Sequence, residues 1–180
     1  MESLEVFSIY VHEDSQVPVI YRDLKPNNIL LGEQMDPKIS NFRTACLIHA
    51  DQTSRDGRVV GTYGYMPIEY VKHGHSSIKS DVFSYGVILL EIICGDIVCG
   101  FSDDKKEESL LIYVWRKWCD GTTLDMVDEV LPNINNHVKQ IKRCIEIGLL
   151  CVQEDPRQRP NMSTVVLMLN SDTIDIRGVH

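Results

Sequence analysis

The chain has 180 residues, 43% hydrophobic and 24% charged, which is the composition of a globular domain with a core rather than of a disordered segment. A formal charge of -8 and a pI near 5.2 argue against a nucleic-acid surface, because a protein that tracks phosphates needs a clustered basic face and none is present. Cys46, Cys94, Cys99, Cys119, Cys144 and Cys151 show neither a CxxC pair nor metal-ligand spacing, so they read as reduced, mostly buried thiols.

The opening stretch MESLEVFSIYVHEDS is acidic where a secretory signal needs a basic region and an apolar core. Its apolar residues Val6, Phe7, Ile9, Tyr10 and Val11 predict the end of a helix stopping near residues 12–15. From Val17 to Leu31, short extended segments flank a loop within VIYRDLKPNNILLG, where Pro26 bars a continuous helix. Asp23, Lys25 and Asn28 place a carboxylate, an ammonium and an amide within six residues, the make-up of an active-site loop. Residues 41–70 are rich in Gly, Thr, Ser and Arg without periodicity and predict one long irregular segment, which in a compact domain usually carries function. His73 and His75 read as exposed loop histidines, since no second pair of metal ligands lies nearby.

From Asp81 onward the apolar residues Val82, Phe83, Val87, Ile88, Leu89, Leu90, Ile92 and Ile93 cover nearly the whole circumference of a helix, predicting one surrounded by protein. The run from Val82 to Gly95 is too short to span a membrane and contains Glu91. The charged residues from Asp103 to Glu108 read as a solvated loop. Leu111, Val114, Trp115 and Trp118 predict one amphipathic helix, and Val138, Ile141, Ile145, Leu149 and Val152 a second. A last helix, Met162 to Leu169, follows Asn161 as N-cap, and the sequon at Asn161 reads as inert in a non-secreted chain.

The segment YRDLKPNN resembles the catalytic loop of protein kinases. Downstream, KISNF occupies the place of their Asp-Phe-Gly element and GTYGYMPIEY that of the segment ending in Ala-Pro-Glu. SDVFSYGVILLEI and EDPRQRP follow in the places of the buried central helix and the closing Arg motif. The wording of VHEDS, VVGTYGYM, IGLLCVQEDP and RPNMSTVVLML is similar to the kinase domains of plant receptor-like kinases, the cysteine-rich receptor-like group above all, from about Ile9 to Thr173. This resemblance implies a protein kinase-like fold, the C-terminal lobe only, mainly α-helical with short β segments around the catalytic loop. It divides the chain into a partial kinase domain over residues 1–170 and a tail over 171–180. ATP and magnesium are the implied cofactors, and a protein substrate or partner kinase the implied partner, with no nucleic acid and no membrane span. The implied location is the cytoplasm, beneath the plasma membrane where such receptors reside.

By the same resemblance Asp23 orients the substrate hydroxyl and accepts its proton, Lys25 contacts the transferred phosphoryl group, and Asn28 and Asn41 occupy the metal and nucleotide positions. The chemistry suits the task, because a metaphosphate-like transition state needs positioning and charge compensation more than covalent help. Lys25-Pro26-Asn27-Asn28 and Thr62 imply serine/threonine specificity. Arg22 implies an activation segment ordered by phosphorylation, with Thr53 and Ser54 as candidate acceptors. Glu69 and Arg159 match a buried ion pair, and Asp81 matches an aspartate that braces the catalytic loop.

Several positions depart from that pattern. Asn41 puts a neutral amide where a hard divalent ion prefers a carboxylate. Arg43 replaces a glycine, removing backbone freedom and setting a long cation beside the nucleotide site. Tyr21 replaces the loop histidine, and Pro67-Ile68 replaces Ala-Pro. The twenty-two residues before Asp23 hold neither Lys nor Gly and no G-x-G occurs, so the Gly-rich loop and strand lysine of the other lobe are expected to be missing. A degenerate, catalytically impaired kinase domain is the expectation. The alternatives are a pseudokinase-like interaction module, an active kinase completed by a lobe supplied elsewhere, and a decayed copy without activity.

Overall fold

The computed structural model describes residues 18–47, 54–55, 59–96 and 109–171, with backbone alone at 54–55. The helix end expected before residue 15, the charged run 103–108, Cys99 and Thr53 lie outside the described residues.

Among the described residues, five α-helices and six short strands follow in order. Strands β1 (Val19–Ile20), β2 (Ile29–Leu31), β3 (Pro37–Ile39), β4 (Cys46–Leu47) and β5 (Ser54–Arg55) precede helix α1 (Ile68–His73) and strand β6 (His75–Ser76). Helices α2 (Ile78–Cys94), α3 (Leu110–Cys119), α4 (Val138–Cys151) and α5 (Met162–Asn170) complete the described chain. The strands pair as three separate antiparallel ribbons, β1 with β4, β2 with β3 and β5 with β6. The first two ribbons frame the loop between β1 and β2, with Ile20 opposite Cys46 and Ile29 opposite Ile39.

Helix α2 is the axis of the core. Thirteen of its seventeen residues are buried, so it is enclosed on all sides, as its all-round apolar pattern requires. It begins at Ile78, four residues before the apolar run, because the Ser80 hydroxyl accepts from the Ser77 N–H at 3.1 Å and closes the first turn. Helix α4 packs along it at close range through two glycines. A Cβ on Gly86 would stand 2.5 Å from the Cys151 Cβ and 3.0 Å from the Gly148 carbonyl oxygen, while one on Gly148 would stand 2.7 Å from Leu90 Cδ2. Ile145, Ile147, Leu149 and Cys151 of α4 join Val165 and Met168 of α5 in the same cluster.

Several details differ from the sequence pattern. In α3 the buried line is Leu110 and Val114, with Leu111 and Trp118 half-buried, whereas Trp115 is 41% exposed. Asn161 stands at the N-cap of α5 but makes no capping bond, because Lys79 Nζ donates to its Oδ1 at 2.5 Å. His73 is exposed, but half-buried His75 belongs to β6 rather than to a loop. The segment 41–70 is not wholly irregular, since it contains a 3-10 turn at Phe42–Thr44, β4 and β5. Cys151 is buried, Cys46, Cys94 and Cys144 are half-buried and Cys119 is exposed, each as a thiol. Burial pushes the Cys94 and Cys151 thiols up to about 12, so neither is a ready nucleophile. Among the described residues no helix is long and apolar enough to cross a membrane.

The glycine contact gives an asymmetric expectation. Gly86→Ala pushes against a neighbouring Cβ and a backbone carbonyl and should lower stability by about 2–3 kcal/mol, while Gly148→Ala meets a movable leucine side chain and should cost about 1 kcal/mol. Urea denaturation of both variants tests this, and equal losses would disprove the close helix crossing.

Candidate active site

The loop between β1 and β2 is held from below by one carboxylate. Asp81, buried in the first turn of α2, accepts from the Tyr21 N–H through Oδ2 at 2.7 Å and from the Arg22 N–H through Oδ1 at 2.9 Å. These bonds stabilise Arg22 in the left-handed region at φ 68°, a conformation that costs a non-glycine residue about 1–3 kcal/mol when unsupported. The chain then turns Asp23 inward, where it is 7% exposed, and a single 3-10 turn over Pro26–Asn28 returns it to β2. Pro26 opens that turn with a φ already suited to it.

Asp23 gathers three donors. Asn28 Nδ2 donates to Asp23 Oδ2 at 3.0 Å and to the Asp23 carbonyl at 2.8 Å, Thr62 Oγ1 donates to Oδ1 at 2.5 Å, and Lys25 Nζ lies 3.3 Å from Oδ2. Lys25 Nζ also donates to Thr62 Oγ1 at 2.6 Å. Thr62 comes from a segment almost forty residues downstream, and Gly61 is what lets it approach. At φ 130° its α-carbon lies so close to the loop between β1 and β2 that a Cβ would fall 2.5 Å from the Arg22 carbonyl oxygen.

Two further anchors hold that segment. The Tyr70 hydroxyl donates to the Val60 carbonyl at 3.0 Å and accepts from the Val60 N–H at 2.9 Å. Glu69 is gripped in bidentate fashion by Arg159, at 2.6 Å and 3.0 Å. The Arg159 guanidinium is fully buried, and its remaining N–H groups reach the carbonyls of Gln153, Lys79 and Glu154, so all five donors are used. It also stacks over Phe83 of α2 at 5.0 Å.

Asn41 closes the opposite side. It has φ 62°, which asparagine tolerates, and begins the turn Phe42–Thr44. Arg43 is not at a positive φ, so the expected loss of glycine's freedom there carries no backbone strain in this conformation. The Tyr21 hydroxyl donates to the Ser40 carbonyl, and its ring meets Phe42 edge-on at 5.3 Å. Thr44 Oγ1 donates to the Tyr21 carbonyl at 3.2 Å, and Arg22 Nε donates to the Thr44 carbonyl at 2.6 Å. Arg22 is thus directed at the turn after Asn41; Ser54 is described only as backbone in β5, opposite Ser76. Burial, and then the carboxylates of Asp23 and Asp81, push the Tyr21 phenol up to about 12. The contributions of Ser40, Thr44, Tyr70 and Lys79 had no sequence signal, because each acts through a partner distant in the chain or through a backbone carbonyl.

The loop between β1 and β2 is thus braced by a buried helix and faced by an anchored threonine. The protein kinase domain matches residues 7–168, and the chain belongs to the protein kinase family. Within that family it is similar to the cysteine-rich receptor-like protein kinases of Arabidopsis thaliana. It is 48% identical to cysteine-rich receptor-like protein kinase 8 over 169 residues, which cover 93% of this chain and 25% of that protein. It is also 48% identical to kinase 26 of the same group over 169 residues and 47% identical to kinase 10 over 169 residues, each match covering about nine-tenths of this chain. The chain therefore spans about a quarter of the length of these curated relatives.

Kinases generally use ATP with magnesium, and the donor set here can be tested against that ion. Asn28 Nδ2 faces two oxygens of Asp23, which leaves Asn28 Oδ1 toward Asn41, and the Asn41 atom nearest it is therefore the N–H-bearing Nδ2, at 3.4 Å. The oxygen that would serve a metal is turned toward a donor. Both oxygens of Asp23 already accept from Asn28, Thr62 or Lys25. A hard divalent ion wants several oxygens, carboxylates foremost, so these residues do not fit magnesium.

Two outcomes follow from the geometry. Asp81→Asn keeps one acceptor but sets an NH2 group against a backbone N–H, so it should cost about 1–3 kcal/mol and loosen the loop; unchanged hydrogen exchange at the amides of Tyr21 and Arg22 would refute the brace. Because the Tyr21 pKa is raised on folding, its contribution is complete below pH 10 and is lost as the pH climbs toward 12. The stability–pH curve of Tyr21→Phe should be flatter than that of the parent in that window, and an identical slope would count against the buried phenol.

Proposed function

We propose that this chain is part of a receptor-like serine/threonine protein kinase domain, acting at the cytoplasmic face of the plasma membrane, in which the substrate-facing half of the site is kept and the metal-facing half is impaired. The observation that carries the reading is the contrast between the two sides of Asn28. On one side Asp23, Lys25 and Thr62 are bonded together. On the other, Asn41 presents an amide.

On the kept side, Asp23 is the group that would orient a serine or threonine hydroxyl and take its proton, the incoming hydroxyl replacing Thr62 Oγ1 as donor to Oδ1. Lys25, held between Asp23 and Thr62, would place its ammonium against the transferred phosphoryl group. ATP is the donor this reading implies. A second reading, an interaction module that binds a protein substrate or a partner kinase, is favoured by the five-donor anchoring of Arg159, which orders the segment through residue 69 without any need for catalysis.

Transfer of phosphate from ATP to a serine/threonine protein substrate separates these. In the kinase domain that carries this chain, Asn41→Asp should raise the rate about a hundredfold, since metal-borne charge stabilisation is worth several kcal/mol, and Asp23→Asn in that background should abolish it. A parent already as fast as Asn41→Asp would overturn the impairment. Silence from every form would favour the interaction module.

A further inference from the structure

A groove of about 440 Å³ lies between α3 and the C-terminal end of α4, and it shares no residue with the loop between β1 and β2. Its less exposed lining is apolar, with Leu149 buried and Leu111 and Val152 half-buried. Ile112 and Trp115 complete it from α3, three residues apart on one face of the helix and still 58% and 41% exposed. Large apolar side chains left in water beside a packed surface mark a place where another molecule binds, and tryptophan is the residue type that contributes most when such a surface is covered.

The end of α4 gives the groove an electrostatic sign. That helix has no basic residue in its last turn, so no side chain of its own offsets the negative end of its dipole. Glu154 is the one charged residue of the lining among the described residues; it is exposed, and its carboxylate has no ion-pair partner among them. The charges nearby in the chain cancel in pairs. Arg159, which takes the Gln153 and Glu154 carbonyls, is held by Glu69 at 2.6 Å, Arg157 by Asp155 at 2.7 Å, and Lys117 by Asp125 at 3.2 Å. Arg116 lies over the Tyr113 ring at 5.4 Å and is not part of the lining. Gln153 spends an N–H on the Leu149 carbonyl, which leaves its amide oxygen as an acceptor. The exposed Trp115 ring adds a face that attracts a cation.

We propose that this groove docks a protein partner through a segment in which a bulky apolar side chain stands beside a lysine or arginine. The apolar side chain covers Ile112 and Trp115 against Leu111, Leu149 and Val152, and the cation answers Glu154, the end of α4 and the Trp115 ring. The proposal does not rest on phosphoryl transfer, and it gives the interaction-module reading a surface.

The test applies the full chain to an array of short peptides in which Leu, Ile, Phe, Trp or Met stands beside Lys or Arg, beside Asp or Glu, or beside Ser. Peptides pairing an apolar residue with Lys or Arg should bind best, and fluorescence anisotropy with the strongest of them gives the affinity of each variant. Trp115→Ala should weaken binding about thirtyfold. Glu154→Lys should move the preference to the acidic peptides, while Leu167→Ser, at an exposed leucine of α5, should change nothing. Should Trp115→Ala melt early, the charge reversal at Glu154 decides alone, because that exposed carboxylate holds nothing together. Equal binding of basic and acidic peptides, binding to none, or an unaltered preference in Glu154→Lys would overturn the proposal. So would a dimer in sedimentation that Ile112→Ser dissolves, since the groove would then belong to a second copy of the chain. ATP takes no part in these measurements, so their failure leaves the phosphoryl-transfer reading to its own assay.

Discussion

The grip of Asp81 on the backbone of Tyr21 and Arg22 is the interaction on which the candidate site depends. It joins the most enclosed helix of the core to a loop that, by itself, would have no reason to hold a left-handed Arg22. The N-terminal end of α2 suits a carboxylate there, because the helix dipole is positive and unpaired N–H groups gather in the first turn. Whatever rigidity α2 has, from its own burial and from the glycine contact with α4, is passed directly to Asp23, Lys25 and Asn28.

A second attachment brings the other half of the site into place. Arg159 lies far from the β1–β2 loop in sequence, yet its bond to Glu69 fixes the start of α1, and the adjacent Tyr70 clamps Val60. Between these points Gly61 lets the chain press against Arg22, so Thr62 reaches Asp23. A buried pair of this kind adds little net stability relative to apolar replacements, but losing one member strands the other charge. Its value here is in the geometry it imposes on the segment from Val60 to Tyr70.

Asn41 sets a neutral amide beside Asn28 at an ordered corner of the fold. Asn41 keeps a left-handed backbone and a hydrogen bond to Asn28, and the turn beyond it stays attached through Tyr21, Thr44 and Arg22. The tyrosine in place of the family's histidine takes part in this attachment through its hydroxyl and ring, which is why the departure at position 21 is compatible with an ordered loop.

By itself the sequence determined the family, the enclosed character of α2, the burial of Ile145 and Leu149 in α4 and the loop that gathers Asp23, Lys25 and Asn28, because each is encoded in local periodicity or in residues a few positions apart. The tertiary structure alone decided that Trp115 lies half in solvent, that Asn161 serves Lys79 instead of capping α5, and that Arg43 bears no backbone strain while Asn41 takes the left-handed turn. It alone also decided that Asn28 offers its oxygen to an amide, since that orientation follows from two Asp23 oxygens on its other side. These outcomes depend on which distant groups compete for one donor or one surface, and that competition exists only once α2, the loop and the segment from Val60 to Tyr70 have been brought together.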